Sequence, residues 1–134
     1  MWYHFAITVP AGTAEADPVE QDLKLTEGVI KYLAVGFPPG CKQRVKVRIY
    51  HLEHQVLPAN PDEAAAWDNG IEGGEEHYKI EGTINTLTVK ACSPDAVYDH
   101  TITVFALLLP VEAAEPWQQP KTDMYLLQEL LGLG

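Results

Sequence analysis

A chain of 134 residues with 46% hydrophobic side chains is long enough for one domain with a core of its own plus an appendage, and too apolar for wholesale disorder. Its 19 acidic against 9 basic side chains leave a formal net charge of −10. Nucleic acids and anionic membrane surfaces are bound by clustered Lys and Arg, so this balance argues against both as partners.

Read in chain order, period-two alternation recurs between turn signals. Trp2–Val9 alternates, lacks the basic start of a secretory leader, and reads as a strand closed by Pro10-Ala11-Gly12. Val19–Leu25 is a second strand, with Val19, Leu23 and Leu25 on one face. Gly28–Phe37 is a third, rich in Val, Ile, Tyr and Phe, and stopped by Pro38-Pro39-Gly40. Gln43–Tyr50 alternates most strictly, with Val45, Val47 and Ile49 on one face and Arg44, Lys46 and Arg48 on the other. That pattern is the mark of a half-buried antiparallel strand.

His54–Leu57 reads as a short further strand. Residues 58–74 form a long excursion, in which Pro61 and Asp62 open a single helical turn ending near Trp67. His77–Ile80, Thr86–Cys92 and Tyr98–Leu109 complete the set, separated by turns at Gly82–Asn85 and Ser93-Pro94-Asp95. About eight short strands with little helix predict an all-β, antiparallel two-sheet β-sandwich of jelly-roll or immunoglobulin-like type over residues 1–110. Tyr32, Phe37, Tyr78, Tyr98 and Phe105 read as core, and Cys41 and Cys92 as free, buried thiols.

The chain changes character after Pro110. Residues 111–134 comprise a proline-rich connector (PVEAAEPWQQP counted from Pro110) and a short greasy segment with Asp123 as N-cap, followed by Met124, Leu126, Leu127, Leu130 and Leu131 at helical spacing. So short a helix is marginal in isolation, which predicts that it docks on its own body or on a neighbouring subunit. Trp117, inside the connector, has no core of its own and reads as an interface anchor.

The side chains that carry chemistry are scattered. His51 and His54 frame Leu52-Glu53, an odd separation that places them on opposite faces of a strand unless the chain turns there, and the His-x-His spacing of metal-binding jelly rolls is missing. His100 is remote in sequence. Asp68-Asn69-Gly70 with Glu72 faintly resembles a calcium loop but lacks its spaced carboxylates and reads as an acidic surface loop. Ser93 lies in a turn without a nucleophile elbow. No catalytic residue, cofactor site or metal site is therefore expected. The basic stripe Lys42, Arg44, Lys46 and Arg48 either meets carboxylates of another chain or pairs across strands with the chain's own Glu and Asp. Trp2, Tyr3, Trp67 and Trp117 suit a sugar platform or an interface hot spot.

Several stretches taken together resemble a group of small structural proteins of tailed phages and prophages: Ile7–Thr13, Gly28–Ile30, Phe37–Gly40 running into Val45–Ile49, His54–Asp62, and Tyr98–Val104. The similarity spans roughly residues 5–110 and consists of turn and strand signatures, with no residue tied to chemistry. It implies a non-enzymatic virion protein that decorates or cements a capsid. Its expected partners are the major capsid protein and copies of itself, a trimer being favoured, and its expected location is the virion after synthesis in the host cytoplasm. The interaction residues expected for that role are Arg44, Lys46, Arg48, Trp117, Met124, Leu126, Leu127, Leu130 and Leu131. The alternatives are a carbohydrate- or host-surface-binding module using Trp67 and the 62–76 loop, and, more distantly, a metal-dependent jelly-roll enzyme using His51, His54 or His100.

Overall fold

The computed structural model describes residues 1–60, 63–80 and 85–110. The helical turn expected from Asp62, the turn at Gly82, and the whole connector and leucine segment from residue 111 lie wholly or partly outside them.

Eight strands form: β1 (Trp2–Val9), β2 (Val19–Lys24), β3 (Gly28–Phe37), β4 (Lys46–His51), β5 (His54–Leu57), β6 (Gly70–Ile80), β7 (Thr86–Cys92) and β8 (His100–Leu109). They make two four-stranded antiparallel sheets, ordered β1-β8-β3-β6 and β2-β7-β4-β5. The pairing is nested: β1 with β8, β2 with β7, β3 with β6, β4 with β5. The chain thus behaves as one long antiparallel ribbon folded over on itself.

Inward side chains of both sheets join a single hydrophobic cluster. Ile7, Val9, Leu33, Val35, Ile102 and Val104 come from the first sheet, and Leu23, Val47, Ile49, Leu87 and Val89 from the second. Each is nearly or wholly removed from water, which stabilises by roughly 1.5–3 kcal/mol for a large aliphatic side chain. Cys41 and Cys92 are free and buried, as the sequence predicts.

Strand β3 departs from simple alternation. Its register shifts between Ile30 and Tyr32: against β8 Lys31 is an extra residue in a bulge, while against β6 it stands opposite both Glu76 and His77. Beyond it the phase reverses: Leu33, Val35 and Phe37 join Ile30 in the core, while Tyr32, Ala34 and Gly36 take the outer face. Tyr32, expected in the core, therefore stands on the outside of the first sheet; Phe105, expected in the core as well, takes the outer face of β8 between the buried Val104 and Ala106. Tyr98, also expected there, is 74% exposed in the β7–β8 loop. Phe37 is buried and Tyr78 packs against the core as expected.

Three further expectations are corrected. Residues 63–67 form no helix; Ala65 makes an isolated bridge to Val47, with amide–carbonyl bonds of 2.9 Å in both directions. Strand β4 starts at Lys46, because Lys42 and Gln43 hold φ of 49° and 62° and turn the chain before it. Strand β6 begins at Gly70, so Glu72, Glu75 and Glu76 belong to a strand and not to an acidic loop.

The two loops at one end are tied together by Ser93. Its Oγ donates to the Pro10 carbonyl at 2.8 Å, its amide donates to the Thr13 carbonyl, and its own carbonyl accepts from Gly12 and Ala96. Asp99 Oδ1 accepts from the Ala11 amide at 2.8 Å in the same region. Ser93 is the buried polar side chain of the core region and serves this scaffold.

Candidate functional site

Outward-facing positions of an antiparallel sheet are normally polar when that face meets water. In the β1-β8-β3-β6 sheet many are apolar or aromatic. The strand register aligns Trp2, Leu107, Tyr32 and Glu75 in one row, His4, Phe105, Ala34 and Gly73 in the next, and Ala6, Thr103, Gly36 and Ile71 in a third. Trp2, His4, Tyr32, Phe105 and Ile71 line a shallow groove of about 460 Å³.

The rings brace one another. Trp2 and Tyr32 meet edge to face with centroids 5.5 Å apart, and His4 and Phe105 do so at 5.1 Å. Ala34, Gly36 and Gly73 are small residues beneath the groove; Ala34 is wholly buried and the Phe105 ring lies over Gly36. A side chain at Gly36 would sit 3.0 Å from the Phe105 ring, and one at Gly73 would collide with the Leu33 carbonyl at 2.4 Å. Trp2 remains 56% and Ile71 57% exposed, so the groove is open. Large exposed aromatics around a desolvatable depression are the chemistry of an interaction surface. Trp2 is the member that the sequence had marked; Tyr32 was hidden by the bulge, whereas Phe105 follows the plain alternation of β8, between inward Val104 and Ala106.

A second depression lies at the loop end and is lined by Lys42, Arg44, Tyr98 and His100 among others. It splits the expected basic stripe. Arg44 and Lys42 are exposed at this end, whereas Lys46 and Arg48 stand on β4 beside the other sheet's outer face. Arg48 is engaged within the chain: its guanidinium lies 3.5 Å from Glu15, and its Nε donates to the Glu63 carbonyl at 3.1 Å. Trp117, Met124, Leu126, Leu127, Leu130 and Leu131 lie outside the described residues.

The histidine pair comes out differently from its sequence spacing. Leu52 and Glu53 make a tight turn, Leu52 at φ 57°, so His51 and His54 face one another as partners of the β4–β5 hairpin. Both touch Tyr78: His51 Nδ1 shares a hydrogen bond of 2.7 Å with its hydroxyl, and the His54 ring stacks on it at 5.8 Å. Burial raises the Tyr78 phenol above its ordinary pKa. His100 sits elsewhere, on the basic depression. Among the described residues no three His, Cys, Asp or Glu side chains gather in metal-binding geometry.

The acidic residues that faintly resembled a calcium loop have backbone partners. Asp68 Oδ1 accepts from the Gly40 amide at 2.8 Å, and Glu72 Oε1 from the Ala66 amide at 3.1 Å. Burial raises both cysteine thiols, Cys41 further through Asp68 and Cys92 through Glu15, which keeps them protonated and poorly nucleophilic. No family model matches the chain, and no curated protein matches it.

Proposed function

We propose that this chain is a non-enzymatic structural protein of a tailed-phage virion: a jelly-roll sandwich that decorates or cements the capsid shell. The strand order is the observation that carries the reading. An eight-stranded jelly roll is two interleaved Greek keys in facing sheets, and the orders β1-β8-β3-β6 and β2-β7-β4-β5 fit it. In an immunoglobulin sheet the first two strands are neighbours, whereas here β1 and β2 lie in different sheets.

Jelly rolls serve capsid proteins, lectins and cupins alike, so the surface must choose among them. The open aromatic groove supports a role in assembly, since exposed rings around a depression are surface that a partner can cover. A net charge of −10 would keep the free protein soluble before it assembles. The partners are the major capsid protein and further copies of this chain, a trimer being favoured. The C-terminal segment, forming a short helix, supplies reach, and the protein resides in the virion. Mass spectrometry of purified particles is expected to find it at a fixed, high copy number. Recombinant protein is expected to co-sediment with shells that lack it. Its absence from particles, or failure to bind them, would overturn the reading.

Trp67, 48% exposed, supports the carbohydrate-binding alternative; glycan binding lost on Trp67→Ala would favour it. The meeting of His51 and His54 on Tyr78 is what the metal-enzyme alternative has. Elemental analysis after dialysis is expected to find far less than one zinc, iron or manganese per chain. Near-stoichiometric metal lost on His51→Ala would promote that alternative instead.

A further inference from the structure

We infer that the aromatic groove on the outer face of the β1-β8-β3-β6 sheet is the seat of the C-terminal leucine segment, Met124–Leu131, of a second copy of this chain. This deepens the assembly reading and rests on it for the role of the segment.

The groove and the segment match in size. From the row of Trp2 to the row of Ile71 the sheet advances from Leu107 to Thr103 along β8. Four residues of strand cover roughly 13 Å at about 3.3 Å each. Met124–Leu131, eight residues as a helix, would cover about 12 Å at 1.5 Å each. The groove is open between the rings of Trp2, Tyr32 and Phe105 and the side chain of Ile71, so the segment would lie across it between Trp2 and Ile71.

They match in chemistry as well. The segment brings Met124, Leu126, Leu127, Leu130 and Leu131, apolar and unbranched at Cβ, to a surface of exposed rings. Association removes both from water, and an apolar segment too short to be stable alone is ordered by the surface it meets.

The way the chain leaves the body selects the copy. Strand β8 ends at Leu109, two residues past Leu107, which is flanked by Trp2 and Tyr32. The segment is thus launched from the end of its own groove. Between them stand Pro110, Pro116 and Pro120 in an eleven-residue connector. Proline-rich connectors are extended, semi-rigid spacers advancing about 3.1 Å per residue, roughly 34 Å over this length. That reach carries the segment well past its own groove, about 13 Å long, and onto a neighbour's.

The test uses the full chain. Sedimentation of the wild type at low and high micromolar concentration is expected to show self-association. Weakening the face (Trp2→Ser with Tyr32→Thr) or the segment (Leu127→Ser with Leu130→Ser) should lower the association constant at least tenfold, with melting curves confirming that both variants fold. A mixture of the two variants should recover a pair, because one retains an intact segment and the other an intact groove. A wild type that stays monomeric, a face variant that associates normally, or a mixture that stays monomeric would overturn the inference, the first pointing to docking within one chain. Should the face variant fail to fold, a synthetic peptide of residues 121–134 must still dissociate the wild-type assembly; indifference to saturating peptide overturns it. Particle co-sedimentation reads the phage assignment separately: self-association without particle binding would sink that assignment and leave this inference standing.

Discussion

His51 and Tyr78 join the two sheets. His51 ends β4 in the second sheet, Tyr78 lies on β6 in the first, and their side chains share a hydrogen bond of 2.7 Å with the rings edge to face. Tyr78→Phe keeps the ring and removes the hydroxyl. A lost side-chain hydrogen bond of this kind costs about 1 kcal/mol, so denaturant melts should show the variant destabilised by that amount with an unchanged slope. An unchanged midpoint would mean the bond adds nothing net to the join.

The thiols and this phenol set the alkaline limb of stability. Cys41 and Cys92 are raised above 9.0 and Tyr78 above 10.0, so the folded chain holds these protons after the unfolded chain has released them. Unfolding then releases protons, and the stability these groups contribute is complete below pH 9 and lost as pH climbs through their folded values. Melting temperature should therefore fall progressively above about pH 9, less steeply in Cys41→Ala/Cys92→Ala. In native protein at neutral pH both thiols should resist a thiol reagent and react on unfolding.

Gly73 occupies a place no other residue fits. Its φ is 123°, and a Cβ there would lie 2.4 Å from the Leu33 carbonyl and 2.7 Å from the Ala34 Cα. Backbone strain at such a position is of order 1–3 kcal/mol before the clash is counted. Gly73→Ala should lower stability by about 2 kcal/mol or more. A melting temperature within a degree of wild type would show that β6 shifts freely.

Arg44 and Arg48, though grouped by the sequence, should behave differently on charge reversal. Arg48→Glu places a carboxylate against Glu15 and gives up the bond to the Glu63 carbonyl. Glu15 is half exposed, so the electrostatic part stays below about 1 kcal/mol and shrinks with salt. Arg44 stands exposed at the loop end, and Arg44→Glu should leave the melting temperature unchanged. If only Arg44→Glu weakens particle binding, the loop end makes the contact; equal stability losses from both would contradict this division.

Most of the strand set was legible because alternation is a local signal. Trp2–Val9, Gly28–Phe37, His54–Leu57 and Thr86–Cys92 have the bounds that the pattern predicts. The aromatic groove was not legible, because the bulge at Lys31 reverses the phase of β3 and no single residue announces it. Tyr32 shares parity with Ile30 in the sequence yet points the other way in the fold. The start of β6 was hidden for a different reason: Gly70, Gly73, Gly74 and three glutamates suit a loop by propensity, and only pairing with β3 holds them extended. Whether the chain turns between the histidines was left open by the sequence, because Leu52-Glu53 carries none of the Gly or Asn that marks a two-residue turn.

The nesting of the strands also governs when this fold can first exist. Strand β8 is the last of the body to be synthesised, yet it is the central partner of both β1 and β3, and β7 stands likewise between β2 and β4. The first sheet cannot close before β8 has been made, nor the second before β7. Trp2 must wait for Leu107, and Met1 for Leu108, whose carbonyl accepts its ammonium at 2.9 Å. Loop closure over such separations must be met before any contact rewards it. The chain should therefore fold slowly.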